Sequence, residues 1–401
     1  MGIAMERNAS FSAPPSRSDG QSDPIAAELR FQHLARMVPL LGSPRQKLRA
    51  IAGFHDWLVA SGHAGFPAAY VPELREPFLR TIVATPFAGT RPSCLRHLRA
   101  VLDQWADWFP EWTAEADWEE AAAYLVTEED RLRRQCEAKQ SSERRPIDRP
   151  RISRHNHSVH LPVVERELLD GRWQNGHGAL RSVRVGVQFR CGSEETDEVL
   201  VDQSIDPEGS QHRLVRQSLG IARALVRAYA RTDVARGLIV HCAFDEPNVI
   251  AGASCGAALT LAVFSELLRL LEIRDQIVLR PDVAVTGEVD EEGRLLPVDA
   301  DGLREKVIAC ACSWIRSLVV PHGQERIART ALEEFRNEPD PRPEVDIIGA
   351  TDLTAIIHDR RLTVVQSVPW PEYVAKQIWG YRRPIVAVVM VILLGAALDL
   401  W

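Results

Sequence analysis

Two textures of apolar spacing divide the chain. From about Ile25 to Cys136, apolar residues recur three and four positions apart in LRFQHLARMVPLL, KLRAIAGFHDWLVASG, CLRHLRAVLDQWADWF and WEEAAAYLVTEEDRLRRQ, with breaks at Pro44, Gly62, Gly65, Pro67 and Pro86. That period lays an apolar stripe along one side of a helix, so residues 25–136 read as an all-α module. Trp105, Trp108 and Trp112 share a helical face if the helix survives Pro110. Core packing explains such a face more readily than a bound ligand does.

Beyond Leu161 the pattern shortens and alternates. Strand-like runs at 181–191, 198–205, 237–244, 283–289, 294–298, 317–321 and 345–349 are interleaved with the helical segments LVRQSLGIARALVRAYAR, SCGAALTLAVFSELLRLL, GLREKVIACACSWI and QERIARTALEEF. The alternation predicts a mixed α/β (α+β) domain over 161–362.

Two segments fit neither texture. Residues 384–401, PIVAVVMVILLGAALDLW, carry one acid, Asp399, and no polar face from Ile385 to Leu398. An 18-residue helix is about 27 Å long, within the range of a bilayer crossing. Arg382 and Arg383 precede it, with Trp379, Tyr381 and Trp401 at its ends. This order predicts a single-pass C-terminal anchor contacting membrane lipid, the bulk of the chain staying cytoplasmic, after a juxtamembrane segment 363–383. A buried C-terminal helix is the alternative. Between Arg131 and Arg154 nine basic residues face three acidic ones among prolines and serines. Residues 137–160 therefore read as a basic linker, solvated or touching anionic headgroups.

Composition then removes several classes. The 401 residues are 45% hydrophobic and 26% charged with a formal net charge of −7, unlike a disordered or collagen-like chain and with no overall excess of positive charge to attract nucleic acid. Seven scattered cysteines do not make a disulfide framework. Residues 1–24 lack a continuous apolar run and read as a disordered leader. His155, His157 and His160 have no cysteine or carboxylate at ligand spacing, so no metal is expected, and no organic cofactor either. A G-x-x-x-x-G-K-[ST] phosphate loop does not occur in these residues.

Three segments carry candidate chemistry. Ala251-Gly252-Ala253-Ser254-Cys255-Gly256 lies just before a strong helix, where backbone N–H groups and the positive helix end converge. Val285-Thr286-Gly287-Glu288-Val289 is a strand edge and turn. Gly302 to Ala309 opens a helix whose one lysine, Lys306, sits among apolar neighbours.

In this order the three segments resemble the proteolytic domain of Lon-type serine peptidases. The matching positions are Gly252, Ser254 and Gly256; Val283, Ala284, Thr286, Gly287 and Glu288; and Leu295, Pro297, Gly302, Leu303, Glu305 and Lys306. Gln217 to Gly220 and Ser317 to Pro321 resemble two further family segments. The family's Asp, Pro and Ala around the serine are Ala251, Ala253 and Cys255 here. The resemblance implies a Ser254 nucleophile, a Lys306 general base, a Thr286 hydrogen bond to that lysine, and an oxyanion hole from the backbone of Gly252, Ser254 and Cys255. Cys255 as an alternative nucleophile, and separately His241 as a partner for the serine, are weaker candidates. Together with the apolar C-terminal segment and the lack of a phosphate-loop motif, the resemblance leads to the expectation of an ATP-independent, membrane-tethered serine endopeptidase acting on protein or peptide, with residues 25–136 as a candidate recruiting surface for another protein. A non-catalytic or signal-gated adaptor that keeps the fold is the competing expectation.

Overall fold

The computed structural model describes residues 24–41, 43–62, 65–141, 158–169, 172–190, 196–202, 209–245, 253–337, 344–371 and 373. Residues 1–23 of the expected leader, most of the basic linker, His155, His157, Gly252 and the 384–401 anchor lie outside them, while Pro24, the leader's last residue, begins a helix. The chain divides into two compact units, one from 1–85 with 97–125, the other from 86–96 with 126–401.

The first unit is helical, as its periodicity predicts. It is built on α1 (Pro24–Met37), α2 (Pro44–Ser61), α3 (Phe66–Ala84), α4 (Pro92–Trp108) from His97, and α5 (Ala116–Ser141) as far as Leu125. Pro44 does not break a helix but begins one: it fills the first turn of α2, where its missing N–H costs nothing. Ser43 caps that turn, accepting from Arg45 N–H at 3.2 Å, while Gln46 Oε1 accepts from Ser43 N–H at 3.3 Å.

Pro67, expected to break the helical pattern, instead fills the first turn of helix α3, whose interior holds Pro72 and Pro77. An interior proline costs about 3 kcal/mol. Phe66, Tyr70, Val71, Leu74, Phe78, Leu79 and Ile82 are all buried along α3, each contributing roughly 1.5–3 kcal/mol, so tertiary burial wins. The three tryptophans do not share a helical face. Helix α4 ends at Trp108, and Trp112 sits in a 3-10 turn, Pro110–Ala114, stacked on Phe109 at 4.1 Å. Trp105 is fully buried against Phe78, and its indole N–H donates to His55 Nδ1 at 2.9 Å.

The second unit is the α/β domain. Its strands are β1 (Ser158–Leu169), β2 (Arg172–Phe189), β3 (Glu198–Val201), β4 (Leu238–Phe244), β5 (Asp275–Leu279), β6 (Val283–Val285), β7 (Glu288–Val289), β8 (Leu295–Leu296), β9 (Ser317–Pro321), β10 (Asp346–Ala350) and β11 (Thr363–Ser367). Helices α6 (Ser210–Ala230), α7 (Gly256–Leu270), α8 (Ala300–Ala311), α9 (Glu325–Arg336) and α10 (Leu353–His358) complete it. Seven strands form one sheet in the order β10-β9-β6-β1-β2-β4-β3; β11 pairs with β5, and β7 with β8. Pairing is antiparallel at β1/β2 and β2/β4, and parallel at β1/β6, β6/β9, β9/β10 and β3/β4.

The α/β unit reaches beyond the expected 161–362 on both sides. Strand β1 begins at Ser158, inside the expected linker, and β11 pairs residues 363–367 antiparallel with β5, inside the expected juxtamembrane segment. Helix α5 runs to Ser141, and residues 86–96 and 126–141 fold with this unit rather than with the helical one. Both long strands of the β1–β2 ribbon begin before the first strand expected from the sequence, because Pro162, Gly171, Asn175 and Gly178 interrupt the apolar alternation.

Helix α7 forms the centre of this unit. Every residue from Gly256 to Leu268 is buried. Among the described residues, Ala253–Leu270 is the one helix long and apolar enough to cross a membrane, and 78% of that stretch is buried within the fold. An apolar helix covered this completely is a core helix, and its all-round hydrophobicity follows from being packed on every side.

Candidate active site

The site is assembled at one end of α7 from three separate elements. A 3-10 turn, Ala253–Cys255, leads directly into α7 and carries Ser254, which is half-buried. Strand β6 ends at Val285, and Thr286 follows it, fully buried. Lys306 projects from the second turn of α8, 5% exposed.

Backbone hydrogen bonds fix these elements to one another. Gly287 N–H donates to the Ser254 carbonyl at 2.8 Å, Ala257 N–H donates to the Gly287 carbonyl at 3.1 Å, and Thr286 N–H donates to Val319 of β9 at 3.0 Å. The Thr286–Gly287 turn is thus tied to the nucleophile turn on one side and to the sheet on the other. Gly287 has φ +155°, a conformation that residues with a side chain rarely adopt, so this double tie requires glycine there. Helix α8 is set by its own cap: Asp299 Oδ2 accepts from Gly302 N–H at 2.8 Å.

The three side chains converge. Lys306 Nζ lies 2.7 Å from Ser254 Oγ and 3.1 Å from Thr286 Oγ1. Thr286 Oγ1 in turn donates to the Ser254 carbonyl at 3.3 Å. With its hydroxyl hydrogen used in that way, Thr286 presents a lone pair to Lys306 and holds one ammonium or amine N–H. The remaining face of Nζ points at the serine.

Burial lowers the Lys306 pKa from 10.5 to about 8. Cys255, Asp299 and Cys310 act in the opposite direction, but a thiol raises a lysine pKa only when ionised. Burial pushes Cys255 up to about 11 and Cys310 up to about 12. At neutral pH both are uncharged, which leaves Asp299 as the opposing charge of the three. Desolvation prevails, and an appreciable fraction of Lys306 is neutral.

The other residues singled out from the sequence are placed elsewhere. Cys255 is 3% exposed, and its elevated pKa leaves no thiolate at neutral pH, the opposite of an activated cysteine. His241 is on β4, exposed, with Nε2 2.6 Å from Asp202 Oδ1. His160 is buried on β1, its Nδ1 2.9 Å from Ser182 Oγ and its ring edge-on to Trp314 at 5.2 Å. Burial lowers its pKa to about 4. Among the described residues no group of three or more His, Cys, Asp or Glu is placed to hold a metal ion. Ser254 and Cys255 open the N-terminal turn of α7, where the first N–H groups of a helix have no intrahelical acceptor. Gly252, the third backbone expected in an oxyanion hole, precedes the described turn.

Glu305 enters the sequence reading only as a motif match. Its carboxylate accepts from Arg91 Nη2 at 2.6 Å and from Gly178 N–H at 3.2 Å, beside His177 Nδ1 at 3.7 Å. Burial alone would raise its pKa, but the nearby His177 imidazole, the Arg91 charge and the Gly178 N–H together hold it below the ordinary value. No local signal links Arg91 to Glu305 across 214 positions of sequence.

Comparison with known proteins agrees with this geometry. Residues 199–345 match the Lon protease (S16) C-terminal proteolytic domain. The chain is 33% identical over 105 residues to Lon protease 1 of Hydrogenovibrio crunogenus, covering 26% of this chain and 12% of that protein. It is 32% identical over 106 residues to the peroxisomal Lon protease homolog 2 of Caenorhabditis elegans, with 26% and 12% covered. With the Lon protease of Aquifex aeolicus it shares 30% identity over 157 residues, 38% of this chain and 19% of the relative. The chain therefore spans less than a fifth of the length of these relatives. Residues 199–345, which hold Ser254, Thr286 and Lys306, are a Lon-type (S16) proteolytic domain, the domain of serine-type endopeptidases.

Proposed function

We propose that this chain is a serine endopeptidase that hydrolyses peptide bonds through a Ser254–Lys306 dyad, by a mechanism that consumes no nucleotide. The observation that carries the reading is the 2.7 Å approach of a buried, pKa-lowered lysine to a serine hydroxyl at a helix N-terminus.

The chemistry follows from the contacts. When Lys306 is neutral, the Ser254 hydroxyl donates to its lone pair while an Nζ–H donates to Thr286. Ser254 Oγ attacks the peptide carbonyl carbon as its proton passes to Nζ. The carbonyl oxygen becomes an oxyanion, stabilised by backbone N–H groups at the start of α7. Collapse breaks the C–N bond, and the Lys306 ammonium delivers its proton to the departing amine, leaving an acyl ester on Ser254. Neutral Lys306 then takes a proton from water, the hydroxyl adds to the ester, and the new carboxyl group leaves as Ser254 recovers its proton.

Independence from ATP belongs to the same proposal, since none of the acyl-transfer steps above uses a nucleotide. Substrates would then be flexible segments or chains delivered by another protein, with the helical unit as the recruiting surface. Attachment to a membrane through residues 384–401 rests on their sequence: 18 residues with one charge, flanked by arginines and aromatics. The N-terminal bulk would lie on the cytoplasmic side.

A serine-directed acylating probe tests the dyad directly. The full chain should be labelled at Ser254, and both Ser254→Ala and Lys306→Ala should abolish that label; an adduct mapped elsewhere, with cleavage intact in both variants, refutes it. Carbonate washing of membranes tests the anchor, since a chain released into the supernatant is not embedded.

A further inference from the structure

Helix α8 carries the proposed base, and it is held from outside the Lon-type domain. Residues 86–91 run across one side of it. Leu180 N–H of β2 reaches the Ala88 carbonyl at 3.5 Å. Gly89, at φ +77°, lies so close that a Cβ there would meet Leu180 N at 2.9 Å and the Ala309 carbonyl of α8 at 3.0 Å. Arg91 then reaches Glu305, one turn before Ala309 on α8, at 2.6 Å, with its guanidinium over the Phe335 ring of α9 at 5.8 Å.

The other end of α8 is gripped by α5. Lys139 Nζ donates to the Cys310 and Ala311 carbonyls at 3.1 and 3.0 Å, the last carbonyls of the helix and its negative dipole end. Burial lowers the Lys139 pKa to about 8, with Cys310, Cys136 and Cys312 raising it and Arg316 lowering it. The cation is drawn from solvent to the last carbonyls of the helix, of which that of Cys310 also accepts from Ser313 N–H at 3.3 Å and Ser313 Oγ at 2.8 Å.

Resting on the peptidase reading above, we propose that Arg91 and Lys139 are positioning residues for Lys306: they clamp α8 at its middle and its C-terminal end, and so hold the lysine at Ser254. Neither residue touches the reacting atoms. Both precede the 199–345 domain in sequence, yet fold in the same compact unit. The clamp acts where geometry is most demanding, since Lys306 is the residue after Glu305, and a displacement of about 1 Å at reacting atoms costs on the order of a hundredfold in rate.

The test follows Lys306 itself in the full-length chain, by mass-spectrometric measurement of its modification by an amine-acylating reagent as pH is varied. In the wild type, half-modification is expected near the lowered value of about 8. Arg91→Met and Lys139→Met should move that midpoint upward toward the ordinary lysine value and slow acylation of Ser254 about tenfold at saturating probe, with the half-saturating concentration unchanged. Arg91→Lys should restore both. Where Arg91→Met melts below the assay temperature, Arg91→Gln, which keeps a donor without the charge, should give an intermediate midpoint. A cooperatively folded Arg91→Met or Lys139→Met chain with wild-type midpoint and wild-type acylation rate overturns the proposal. Failure of the peptidase reading has a separate signature: no Ser254 adduct in the wild type while the Lys306 midpoint still shifts in the variants.

Discussion

Lys306 Nζ stands 2.7 Å from Ser254 Oγ and 3.1 Å from Thr286 Oγ1, while Thr286 Oγ1 also reaches the Ser254 carbonyl at 3.3 Å. Thr286 thereby fixes the base and the nucleophile turn together. Removing its hydroxyl in Thr286→Val keeps the size of the side chain but frees Lys306 to rotate away. The rate of Ser254 acylation should fall about ten- to a hundredfold with little change in probe affinity. Cys255→Ser should leave acylation near wild type, because the thiol is buried and protonated. Acylation unchanged in Thr286→Val would remove the threonine from the site.

The acid limb of the rate profile should report Lys306. A general base acts only when deprotonated, so activity should rise with pH through a midpoint near 8, the value to which burial lowers this lysine. At pH 7 about a tenth of the molecules would then hold a neutral base, against fewer than one in a thousand for a lysine at its ordinary pKa. A kcat/KM profile already flat between about pH 6 and 9 would exclude Lys306 as the titrating base.

Much of this site is legible in the sequence, for a definite reason. Ser254, Thr286 and Lys306 each sit in a short segment whose neighbours are constrained by the same contacts. Gly287 must take a positive φ, Gly302 donates to the Asp299 cap, and Gly256 starts α7. The alternation of strands and helices likewise follows from one-sided burial. What escapes the sequence is what depends on distant pairing. Strand β11 exists because Val364 and Val365 find β5, and α3 because its apolar stripe outweighs two interior prolines, Pro72 and Pro77. Residues 86–96 look like the rest of a helical module, and only distant contacts, Ala88 and Gly89 with Leu180 and Arg91 with Glu305, show them folding with the peptidase domain. A deletion of 25–136 meant to remove a recruiting module would therefore also strip Arg91 from behind the proposed base.

Gly178 offers a second way to move α8 without altering any residue of the helix. A Cβ at this β2 position would lie 2.0 Å from the Glu305 carbonyl oxygen and 2.6 Å from its carbon. These are backbone atoms, so no side-chain rotation relieves the clash and the helix itself must shift. Gly178→Ala should cost about 1–3 kcal/mol, a fall of several degrees in Tm, and should slow Ser254 acylation in the molecules that remain folded. A variant that loses stability yet keeps full acylation would show that α8 and Lys306 move independently of the strand beneath them.

The buried lysines and thiols should also shape stability against pH. Lys306 and Lys139 both have folded pKa values lowered from 10.5 to about 8. Below about pH 8 they are protonated folded and unfolded, and the full burial penalty is present. From about 8 to 10.5 the unfolded chain keeps protons that the folded one has released, so stability rises with pH, by about 1 kcal/mol for each lysine between pH 8 and 9. Cys242, Cys255 and Cys310 work the other way. Their folded values are raised from 9.0 to about 12, 11 and 12, so above about pH 9 the unfolded thiols ionise first and stability falls. Urea unfolding of the wild type should therefore show a maximum near pH 9, and Lys306→Met should flatten the rising side by about half. A steady decline from about pH 7.5 through 9 in the wild type would mean that neither lysine is held in the low-pKa state on which the dyad depends.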